Sequence, residues 1–364
     1  MKRVAVVGAG ILGLAQAYTH ARRGAKVTVY ERSRKASGAS VRNFGMLWPI
    51  GQPGGLLHEL AMDSRRIWVE VLDEAKIPYS ACGSLHLAYR QDEEAVCREF
   101  ADLSPERGVW IGRNEVLERS PCANPGGLRG ALFSRHEIVV DPRLTLAVLP
   151  QFLAERYGVE FRFGVAVTDI GQLEADESFV CSGDDFETLF PEVYATSGVT
   201  RCKLQMMRTM PQPPGWTMGP AIAGGLTLRF YPSFRICSSL PALESRIAAE
   251  TPEFDRWGIH VMASQTFDGG ITIGDSHEYG LDVDVFNKEA IDDLILSYLR
   301  GIARFPEMRI GERWHGVYAR AFDRPFFYEE PRPGVYIVTA SAGKGMTVSF
   351  GLAELLHENP SRRF

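Results

Sequence analysis

The chain has 364 residues and a formal net charge of −5 at pH 7, from 40 basic and 45 acidic side chains. This balance argues against a nucleic-acid-binding protein, in which a basic excess would collect on one face. Hydrophobic residues make up 45% and charged residues 23% of the chain, which excludes wholesale disorder. The length is sufficient for two domains with a large buried core.

The cysteines and apolar runs indicate whether the chain has a metal site, disulfide bonds or a membrane span. Its six cysteines form no Cys-x-x-Cys pair and no cluster with zinc-ligand spacing, so we expect neither a metal site nor a disulfide framework. No apolar run approaches the roughly 20 residues of a membrane span. The short run at the N-terminus leads into glycines and not into a cleavage site. We therefore expect a soluble, cytoplasmic protein without a membrane span.

The predicted elements begin with a β–α–β unit. Residues 3–7 form a β-branched apolar run that predicts a strand, and residues 14–23 favour a helix that Gly24 ends. Residues 26–30 predict a second strand, and two parallel strands need a crossover connection of this kind.

The rest of the chain continues with helices, strands and loops. We predict an irregular loop over residues 37–55, a long amphipathic helix from residue 56, a strand over 83–89, a helix over 92–103 and a helix over 143–156. Short strands over 161–170, a strand over 179–181, and strands with Pro- and Gly-rich turns from 203 to 265 follow. The last predictions are a hairpin of 260–265 and 271–275, a helix over 288–303, a strand over 335–339, a glycine turn over 340–345 and a helix over 346–356.

The turn between the first predicted strand and the first predicted helix contains a Gly-x-Gly-x-x-Gly motif at Gly8, Gly10 and Gly13. In dinucleotide-binding proteins the first glycine permits the turn, the second admits the pyrophosphate, and the third lets helix and strand pack closely. Glu31 ends the second strand, where a carboxylate accepts hydrogen bonds from ribose hydroxyls and repels the 2′-phosphate of NADP. The alternative is a glycine-rich turn that binds no ligand.

The C-terminal part of the chain favours FAD over NAD. An NAD-binding domain would continue with regular βα units after residue 31, whereas this chain enters an irregular loop. It returns to a strand and a helix opened by Gly343-Lys344-Gly345-Met346-Thr347, whose N–H groups we expect to face the pyrimidine edge of a flavin. The alternative is a C-terminal helix merely capped by glycines.

Several segments, taken in order, identify a family resemblance. They are Gly8–Gly13 with Glu31 and Arg32, Ala39–Ser40, Val139–Arg143, Val180–Gly183, Trp314–Tyr318 with Asp323 and Pro325, and Gly343–Thr347. Together they resemble the FAD-dependent amine oxidoreductases related to D-amino-acid oxidase, glycine oxidase and sarcosine oxidase, over essentially the whole chain. Within that superfamily, Ser40–Gly51 and Gly274–Gly280 are similar to a bacterial branch proposed to act on aminophosphonates.

The resemblance implies an α/β fold with a Rossmann-like FAD-binding domain and an interleaved α+β substrate domain built on an antiparallel sheet. The FAD domain is expected to collect residues 1–80, 138–200 and 315–364. The substrate domain is expected to take residues 81–137 and 201–314.

The resemblance also implies which residues hold FAD. They are Gly8, Gly10, Ile11, Leu12 and Gly13 at the pyrophosphate, Glu31 and Arg32 at the adenosine, Ala39, Ser40, Arg42, Asn43, Phe44 and Gly45 past the diphosphate and flavin, Val167 at the adenine, Ser182 and Gly183 in a second turn, and Gly343, Lys344, Gly345, Met346 and Thr347 at the flavin. In sarcosine oxidases a cysteine just before the Tyr318 position tethers the flavin. This chain has Gly316 and Val317 there, so we expect non-covalent FAD.

The candidate substrate-site residues are Arg42, Trp48, His260, Tyr318, Arg320 and Lys344. The cations suit an anionic headgroup, since charge-assisted hydrogen bonds are the strong ones. Each residue has a structural alternative: a solvated or paired arginine, a surface lysine, a core histidine or a packed tryptophan. His277 with Glu278 is equally compatible with a hydrogen-bonded loop.

The implied reaction is hydride transfer from the carbon beside a small primary or secondary amine to FAD, followed by hydrolysis of the imine. The expected substrate is an aminophosphonate or its N-methyl derivative, with oxygen or another acceptor taking the electrons. The alternatives are an oxidase or dehydrogenase of glycine, sarcosine or a D-amino acid, an NAD-dependent dehydrogenase, and a non-catalytic dinucleotide-binding protein.

Overall fold

The computed structural model describes residues 1–339 and 342–360, which form eighteen β-strands and eleven α-helices. The strands are β1 (Arg3–Val7), β2 (Lys26–Glu31), β3 (Met46–Leu47), β4 (Tyr79–Ser80), β5 (Ser84–Ala88), β6 (Val109–Gly112), β7 (Gly130–Ser134), β8 (Ile138–Val140), β9 (Glu160–Phe163), β10 (Glu177–Val180), β11 (Thr200–Thr209), β12 (Ala221–Ala223), β13 (Met262–Gln265), β14 (Ile271–Gly274), β15 (Glu278–Gly280), β16 (Ile310–Arg320), β17 (Phe327–Arg332) and β18 (Val335–Thr339). The helices are α1 (Ile11–Ala21), α2 (Leu56–Glu74), α3 (Gln91–Leu103), α4 (Arg113–Arg119), α5 (Pro142–Tyr157), α6 (Pro191–Ala195), α7 (Leu226–Phe230), α8 (Leu240–Glu250), α9 (Pro252–Arg256), α10 (Glu289–Ile302) and α11 (Gly345–Glu358). Ala340 and Ser341 of the predicted glycine turn lie outside the described residues, as do residues 361–364 of the predicted FAD domain.

A six-stranded sheet is built around the N-terminal strand, in the order β17-β18-β10-β1-β2-β9. All neighbours are parallel except β17, which pairs antiparallel with β18. The central strand β1 is buried over Val4–Val7, which suits a β-branched apolar run with helices on its faces. The predicted β–α–β unit is therefore present, and the predicted strand over 335–339 is confirmed residue for residue.

Helices α1, α2 and α11 pack together beside this sheet. The ring of Phe350 meets Tyr18 and Trp68 edge to face, with centroids 5.4 and 4.9 Å away. A Cβ on Gly351 would lie 2.3 Å from the backbone oxygen of Leu60. Because glycine has no side chain, α11 and α2 approach closely there and bring the C-terminal helix against the N-terminal unit.

Glu354 ties α11 to the end of α1. Its carboxylate accepts a 2.7 Å hydrogen bond from Thr19 and pairs with Arg22 at 2.6 Å and Arg23 at 2.5 Å. These hydrogen bonds and charges outweigh burial and lower the pKa of Glu354 to about 2. The contact connects the C-terminal helix α11 to the helix that follows the glycine motif.

We expect Glu354→Gln to lower the free energy of unfolding by about 1–3 kcal/mol at pH 7. A carboxylate whose folded pKa is depressed stabilises the protein above its unfolded pKa of about 4.3. The difference between variant and wild type should therefore shrink as the pH falls toward the folded pKa of about 2. Urea unfolding across this pH range checks it, and a difference that does not change with pH would contradict the assignment.

A nine-stranded sheet forms the second layer, in the order β15-β11-β14-β13-β12-β5-β7-β6, with β16 also paired to β11. Its pairs are antiparallel except that β12 and β5 run parallel. The hairpin of β13 and β14 around Asp268-Gly269-Gly270 confirms that prediction. A three-stranded sheet, β3-β8-β4, makes up the rest.

The prediction of strands from residue 203 to 265 is wrong in its middle part. The chain forms helices α7, α8 and α9 there, between β12 and β13. Pro241 and Pro252, which favour turns, lie in the first turns of α8 and α9, where the missing N–H has no helical partner to lose. Similarly, of the short strands predicted over 161–170, β9 alone is present among the described residues, and Ile170 begins a 3-10 turn.

The domain boundaries remain a prediction. The long strand β16 crosses the predicted boundary between residues 314 and 315, and it pairs with β11 along nearly its whole length. Within the described residues, no helix combines the length and apolar composition needed to cross a membrane.

Candidate cofactor and substrate site

A cavity of about 610 Å³ lies between the two large sheets. It is lined near the N-terminus by Val7, Gly8, Gly10, Ile11 and Leu12, and near the C-terminus by residues 342–347. The predicted cofactor residues that line it are Gly8, Gly10, Ile11, Leu12, Glu31, Arg32, Ala39, Ser40, Arg42, Asn43, Phe44, Val167, Ser182, Gly183, Gly343, Lys344, Gly345, Met346 and Thr347. Trp48, His260 and Tyr318 also line it, whereas Gly13, Gly45 and Arg320 do not.

The first glycine turn has the geometry that its sequence predicts. Gly8 has a φ of 104°, and a Cβ there would lie 2.4 Å from the backbone oxygen of Cys181. A Cβ on Gly13 would lie 1.9 Å from the oxygen of Gly8, so Gly13 serves helix packing and not the cavity. Gly10 caps α1 with an extended backbone, and its missing side chain leaves room at the helix N-terminus.

Glu31 lies at the end of β2, beside this turn. One carboxylate oxygen accepts a hydrogen bond from the N–H of Ala9 and the other from the N–H of Ser33, both at 2.9 Å. Each carboxylate oxygen can accept a second hydrogen bond, so both remain available to hydroxyl donors. The next residue, Arg32, pairs with Asp185 at 2.8 Å and brings the turn after β10 to the same end of the cavity.

The irregular loop after Glu31 is held by its own side chains. Ser40 accepts a 2.9 Å hydrogen bond from the N–H of Ile11. Asn43 donates to the carbonyl oxygens of Ala39 and Ser40 and accepts from the N–H of Gly45. The loop therefore has a defined shape against the helix N-terminus, and Asn43 acts on the loop itself.

The start of α11 closes the end of the cavity opposite the first glycine turn. The hydroxyl oxygen of Thr347 accepts a 2.9 Å hydrogen bond from the N–H of Trp48, and Met346 accepts one from the indole of Trp68. Gly343 has a φ of 76°, and a Cβ there would lie 3.2 Å from the Tyr318 ring. Glycine at this position lets the turn sit directly against β16.

Lys344 is the cation at this end of the cavity. Its Nζ donates a 3.1 Å hydrogen bond to the carbonyl oxygen of Pro325 and lies 5.5 Å from the Phe326 ring centre. Burial, with a smaller effect from the positive charge of Arg320, lowers the pKa of Lys344 to about 8. The side chain is therefore charged at neutral pH and loses its charge in mild alkali.

The two arginines of the sequence analysis have different surroundings. Arg42 lines the cavity and donates to the carbonyl oxygen of His315 at 3.2 Å. The guanidinium of Arg320 lies 5.4 Å from the ring of Tyr279 and 4.8 Å from that of Phe322, and its buried Nε has no hydrogen-bond partner among the described residues. Arg320 thus lies behind the cavity wall, close enough to affect the charge of Lys344.

The cavity wall formed by the nine-stranded sheet contains a buried cluster that sequence reasoning missed in part. His260 was a candidate, but Asp275 was not, and His277 was left as an alternative loop contact. Nε2 of His260 lies 3.2 Å from a carboxylate oxygen of Asp275. His260, Asp275 and His277 each offer one ring nitrogen or carboxylate oxygen, and these three atoms lie within 4.8 Å of one another. Burial raises the pKa of Asp275 well above its usual range. The segment Gly274–Gly280 was noticed for its resemblance, without a role for its carboxylate.

Aromatic rings cover the same cluster. Phe230 lies 4.0 Å from His260 and 4.4 Å from His277, measured between ring centres. Tyr231 contacts both His260 and Trp48, with centres 5.7 and 6.4 Å away. These rings come from α7 and the residue after it, which the sequence analysis assigned to a strand.

These observations fit a bound FAD. The cavity begins at the N-terminus of α1, where Gly10 has no side chain, and passes the carboxylate of Glu31, which can accept further hydrogen bonds. It ends at the N-terminus of α11, at Gly345. Its ends therefore offer N–H donors for a diphosphate and for the electron-rich edge of a flavin. A sheet of parallel strands with its ligand crevice at the carboxyl ends is the arrangement of a Rossmann-like dinucleotide-binding protein.

The comparison with protein families gives the family. The chain matches the DAO family, described as FAD dependent oxidoreductase, over residues 3–359, and it belongs to that family. This confirms the predicted FAD and the predicted oxidoreductase class, and it removes the NAD alternative.

Curated and solved proteins extend the comparison. Glycerol 3-phosphate dehydrogenase from Caloramator mitchellensis is 23% identical over 195 residues, 51% of this chain and 40% of that protein. Glycine oxidase from Bacillus licheniformis is 29% identical over 146 residues, 38% of each protein. The match thus spans less than half the length of these relatives. The crystal structure of glycine oxidase from Bacillus cereus is similar with a TM-score of 0.75 over 98% of this chain and 95% of that chain, at 17% identity, and this likeness concerns the fold.

Proposed function

We propose that the protein oxidises a small amine that also has an anionic group, with FAD as the hydride acceptor. The observation that supports this most strongly is the continuity of one cavity, which joins the FAD-binding turns to the side chains of Lys344, Trp48 and His260. Bound FAD supplies the two-electron oxidation; the chain supplies binding, orientation and electrostatics. The resemblance to a glycine oxidase over part of the chain supports an amine as the group oxidised.

Lys344 is proposed to bind the anion of the substrate. It lies in the turn that leads into α11, so a ligand held there lies beside the expected flavin edge. A substrate anion accepts a charge-assisted hydrogen bond from Nζ, which is stronger than one between neutral groups. Arg42 lines the same cavity and can contribute a second positive charge.

Apolar and aromatic walls are proposed to orient the reacting carbon and exclude water. Trp48 and Tyr231 are buried or half-buried around the cavity, with Met206 and Met262 on the sheet opposite. Tyr318 is held by contacts with the sheet, and burial raises its pKa well above the usual range, so it stays neutral. Held geometry of this kind lowers the entropic part of the barrier.

The finer proposal is that the substrate is an aminophosphonate or its N-methyl derivative. It is supported by the similarity of Ser40–Gly51 and Gly274–Gly280 to the branch proposed to act on such compounds. These two segments both reach the cavity, through Arg42, Trp48, Asp275 and His277. Glycine, sarcosine and D-amino acids remain the competing substrates.

Anaerobic reduction of the bound flavin tests the proposal. We expect 2-aminoethylphosphonate or its N-methyl derivative to bleach the visible flavin absorbance, because loss of the amine's α-hydride reduces the cofactor. Glycine, sarcosine and D-alanine serve as the competing substrates. Bleaching by these amino acids with no change on adding aminophosphonates would overturn the finer proposal. A spectrum unchanged by every amine would overturn amine oxidation and favour a non-catalytic dinucleotide-binding protein.

A further inference from the structure

We infer that the carboxylate of Asp275, between His260 and His277, binds the ammonium group of the substrate and removes the proton that must leave before oxidation. This inference rests on the proposed function and assigns a base to the same cavity. The amine of a small substrate is protonated near neutral pH, since an alkylammonium has a pKa of about 10. A protonated nitrogen has no lone pair with which to assist loss of the α-hydride.

No lysine or arginine of the described residues forms an ion pair with the buried carboxyl group of Asp275. Asp275 and His260 are 5% and 2% exposed. Oδ1 of Asp275 lies 3.2 Å from Nε2 of His260 but outside hydrogen-bond geometry, and among the described residues neither this oxygen nor Nδ1 of His260 has a hydrogen-bond partner. An unpaired polar group of this kind is costly to bury. Both residues line the cavity, so a ligand with N–H donors can satisfy them.

His277 adds an acceptor to the cluster. Its Nδ1 lies 2.9 Å from the carbonyl oxygen of Gly258, and since a carbonyl can only accept, Nδ1 holds the hydrogen. Burial lowers the pKa of His277 to about 4, so the ring is neutral and its Nε2 is an acceptor. Burial and the neighbouring His277 likewise lower the pKa of His260. The cluster therefore presents two neutral imidazoles beside one carboxylate, within 4.8 Å of one another.

The aromatic rings around the cluster favour an organic cation. Phe230 stacks on His260, and Tyr231 contacts it from another side. Aromatic faces attract ammonium groups, most strongly where water is excluded. The same rings give an N-methyl group an apolar contact, so a secondary ammonium fits as well as a primary one. A bare divalent metal ion would use the nitrogen and oxygen atoms but gain nothing from the rings.

The proton transfer is balanced within the cavity. The N–H bond of the substrate breaks, its electron pair stays on nitrogen, and the proton forms an O–H bond with Asp275. Two opposite charges become two neutral groups, which a buried site favours over a separated ion pair. The raised pKa of Asp275 makes the carboxylate a stronger base for this step. The α-carbon would then lose its hydride to bound FAD, the oxidant of the family, and water would hydrolyse the resulting iminium.

Other ionisable groups around the cluster come from several elements. They are His86 of β5, Cys202 of β11, Arg229 of α7, Tyr231, Tyr279 of β15, and Tyr318 and Arg320 of β16. Burial raises the pKa of the three tyrosines and of Cys202, and it lowers the pKa of His86. These five groups are therefore neutral between pH 6 and 9, and Asp275 is the group in the cluster expected to exchange a proton with the substrate.

The variant Asp275→Asn keeps the shape of the side chain and removes the base. With 2-aminoethylphosphonate, and with glycine in parallel, we expect the rate constant for anaerobic flavin bleaching at pH 7 to fall roughly 100-fold or more. In the variant this rate constant should rise about tenfold per pH unit, because only free amine in solution reacts. In the wild type at saturating substrate it should change little between pH 7 and 9, because the positive charge of the bound ammonium holds Asp275 ionised.

Binding of ethylphosphonate, which has the anion but no amine, reports on the rest of the site. Asp275→Asn should retain this binding and its full FAD content, which excludes a misfolded cavity. Asp268→Asn, at the exposed hairpin turn and away from the cavity, is the matched carboxylate-to-amide control and should behave as wild type.

Four outcomes would overturn the inference. Wild-type bleaching with an unchanged rate constant and pH profile in Asp275→Asn would contradict it while leaving amine oxidation intact. A wild-type rate constant that itself rises about tenfold per pH unit would also contradict it, whether or not the variant folds. Stoichiometric metal in the wild type that is lost in Asp275→Asn would assign the cluster to a metal instead. A wild-type flavin that no amine bleaches would contradict the proposed function itself, and the inference with it.

Discussion

Replacing Gly10 by valine is expected to yield a folded protein that no longer retains FAD. Gly10 is the N-cap of α1, with φ −70° and ψ 173°, so a side chain causes no backbone strain. Its Cβ would lie 3.1 Å from the hydroxyl oxygen of Ser40. The branches of valine would then enter the space that we propose for the diphosphate. A steric conflict of this kind costs about 1–3 kcal/mol, so we expect FAD affinity to fall by roughly 5- to 150-fold.

Gly112→Val is a closely matched control for this experiment. Gly112 is also a helix N-cap, with φ −76° and ψ 166°. A Cβ at this position would have open space around it, with no atom of the described residues within 4 Å beyond its own chain neighbours. FAD fluorescence quenching gives the affinity of each variant, and circular dichroism reports whether each is folded. Wild-type FAD affinity in Gly10→Val would contradict the placement of the diphosphate at α1.

Replacing Lys344 by methionine is expected to weaken binding of the substrate anion. Methionine keeps much of the apolar stem but has no charge, and loss of a charge-assisted hydrogen bond costs about 1.5–3 kcal/mol. We expect the affinity for ethylphosphonate to fall by roughly 10-fold or more. Perturbation of the flavin spectrum by ethylphosphonate measures this affinity directly.

The pH dependence gives a second readout for Lys344. A lysine is charged below its pKa, so wild-type affinity for ethylphosphonate should decline as the pH rises through about 8. Lys344→Arg should retain its affinity above that pH, because a guanidinium stays protonated. Lys26→Met, at the exposed start of β2, is the control for loss of a lysine elsewhere. Unchanged affinity in Lys344→Met would remove this residue from the anion site.

The N-terminal half of the cofactor site could be predicted from sequence because its interactions are local. Gly8 and Gly10 lie between a strand and a helix, and the next strand ends at Glu31, so a short stretch of chain determines their geometry. Gly343 lines the same cavity as this turn, although the two are far apart in the sequence. A shared site was predicted because the C-terminal strand and glycine-opened helix are unusual after an interrupted βα pattern. The strong periodicity of α2 and α10 likewise made both helices predictable.

The substrate side of the cavity could not be predicted to the same extent. Asp275 follows a hairpin strand, where an acidic residue is ordinarily solvated. It is buried because Phe230 and Tyr231 cover the cluster, and those rings are in the helical segment that the sequence analysis assigned to strands. In α8 the spacing of Leu240, Leu243 and Ile247 was a helical signal, which the prolines and glycines of this region obscured.

Arg320 illustrates a different limit of sequence patterns. Alternation along β16 puts it on the same face as Tyr318, which lines the cavity. Arg320 is the last residue of the strand, however, and its guanidinium lies over Tyr279 and Phe322. A direct role in substrate binding remains a prediction, and Lys344 is the cation that the cavity lining favours.

The central claim is that the two ends of the chain enclose one FAD molecule. Titration of the flavin-free protein with FAD, followed by quenching of flavin fluorescence, tests this claim most directly. Saturation at one FAD per chain is the predicted result, and Gly10→Val should shift it to much higher FAD concentrations. Fluorescence that falls without saturating, or saturation that Gly10→Val leaves unaffected, would contradict the claim.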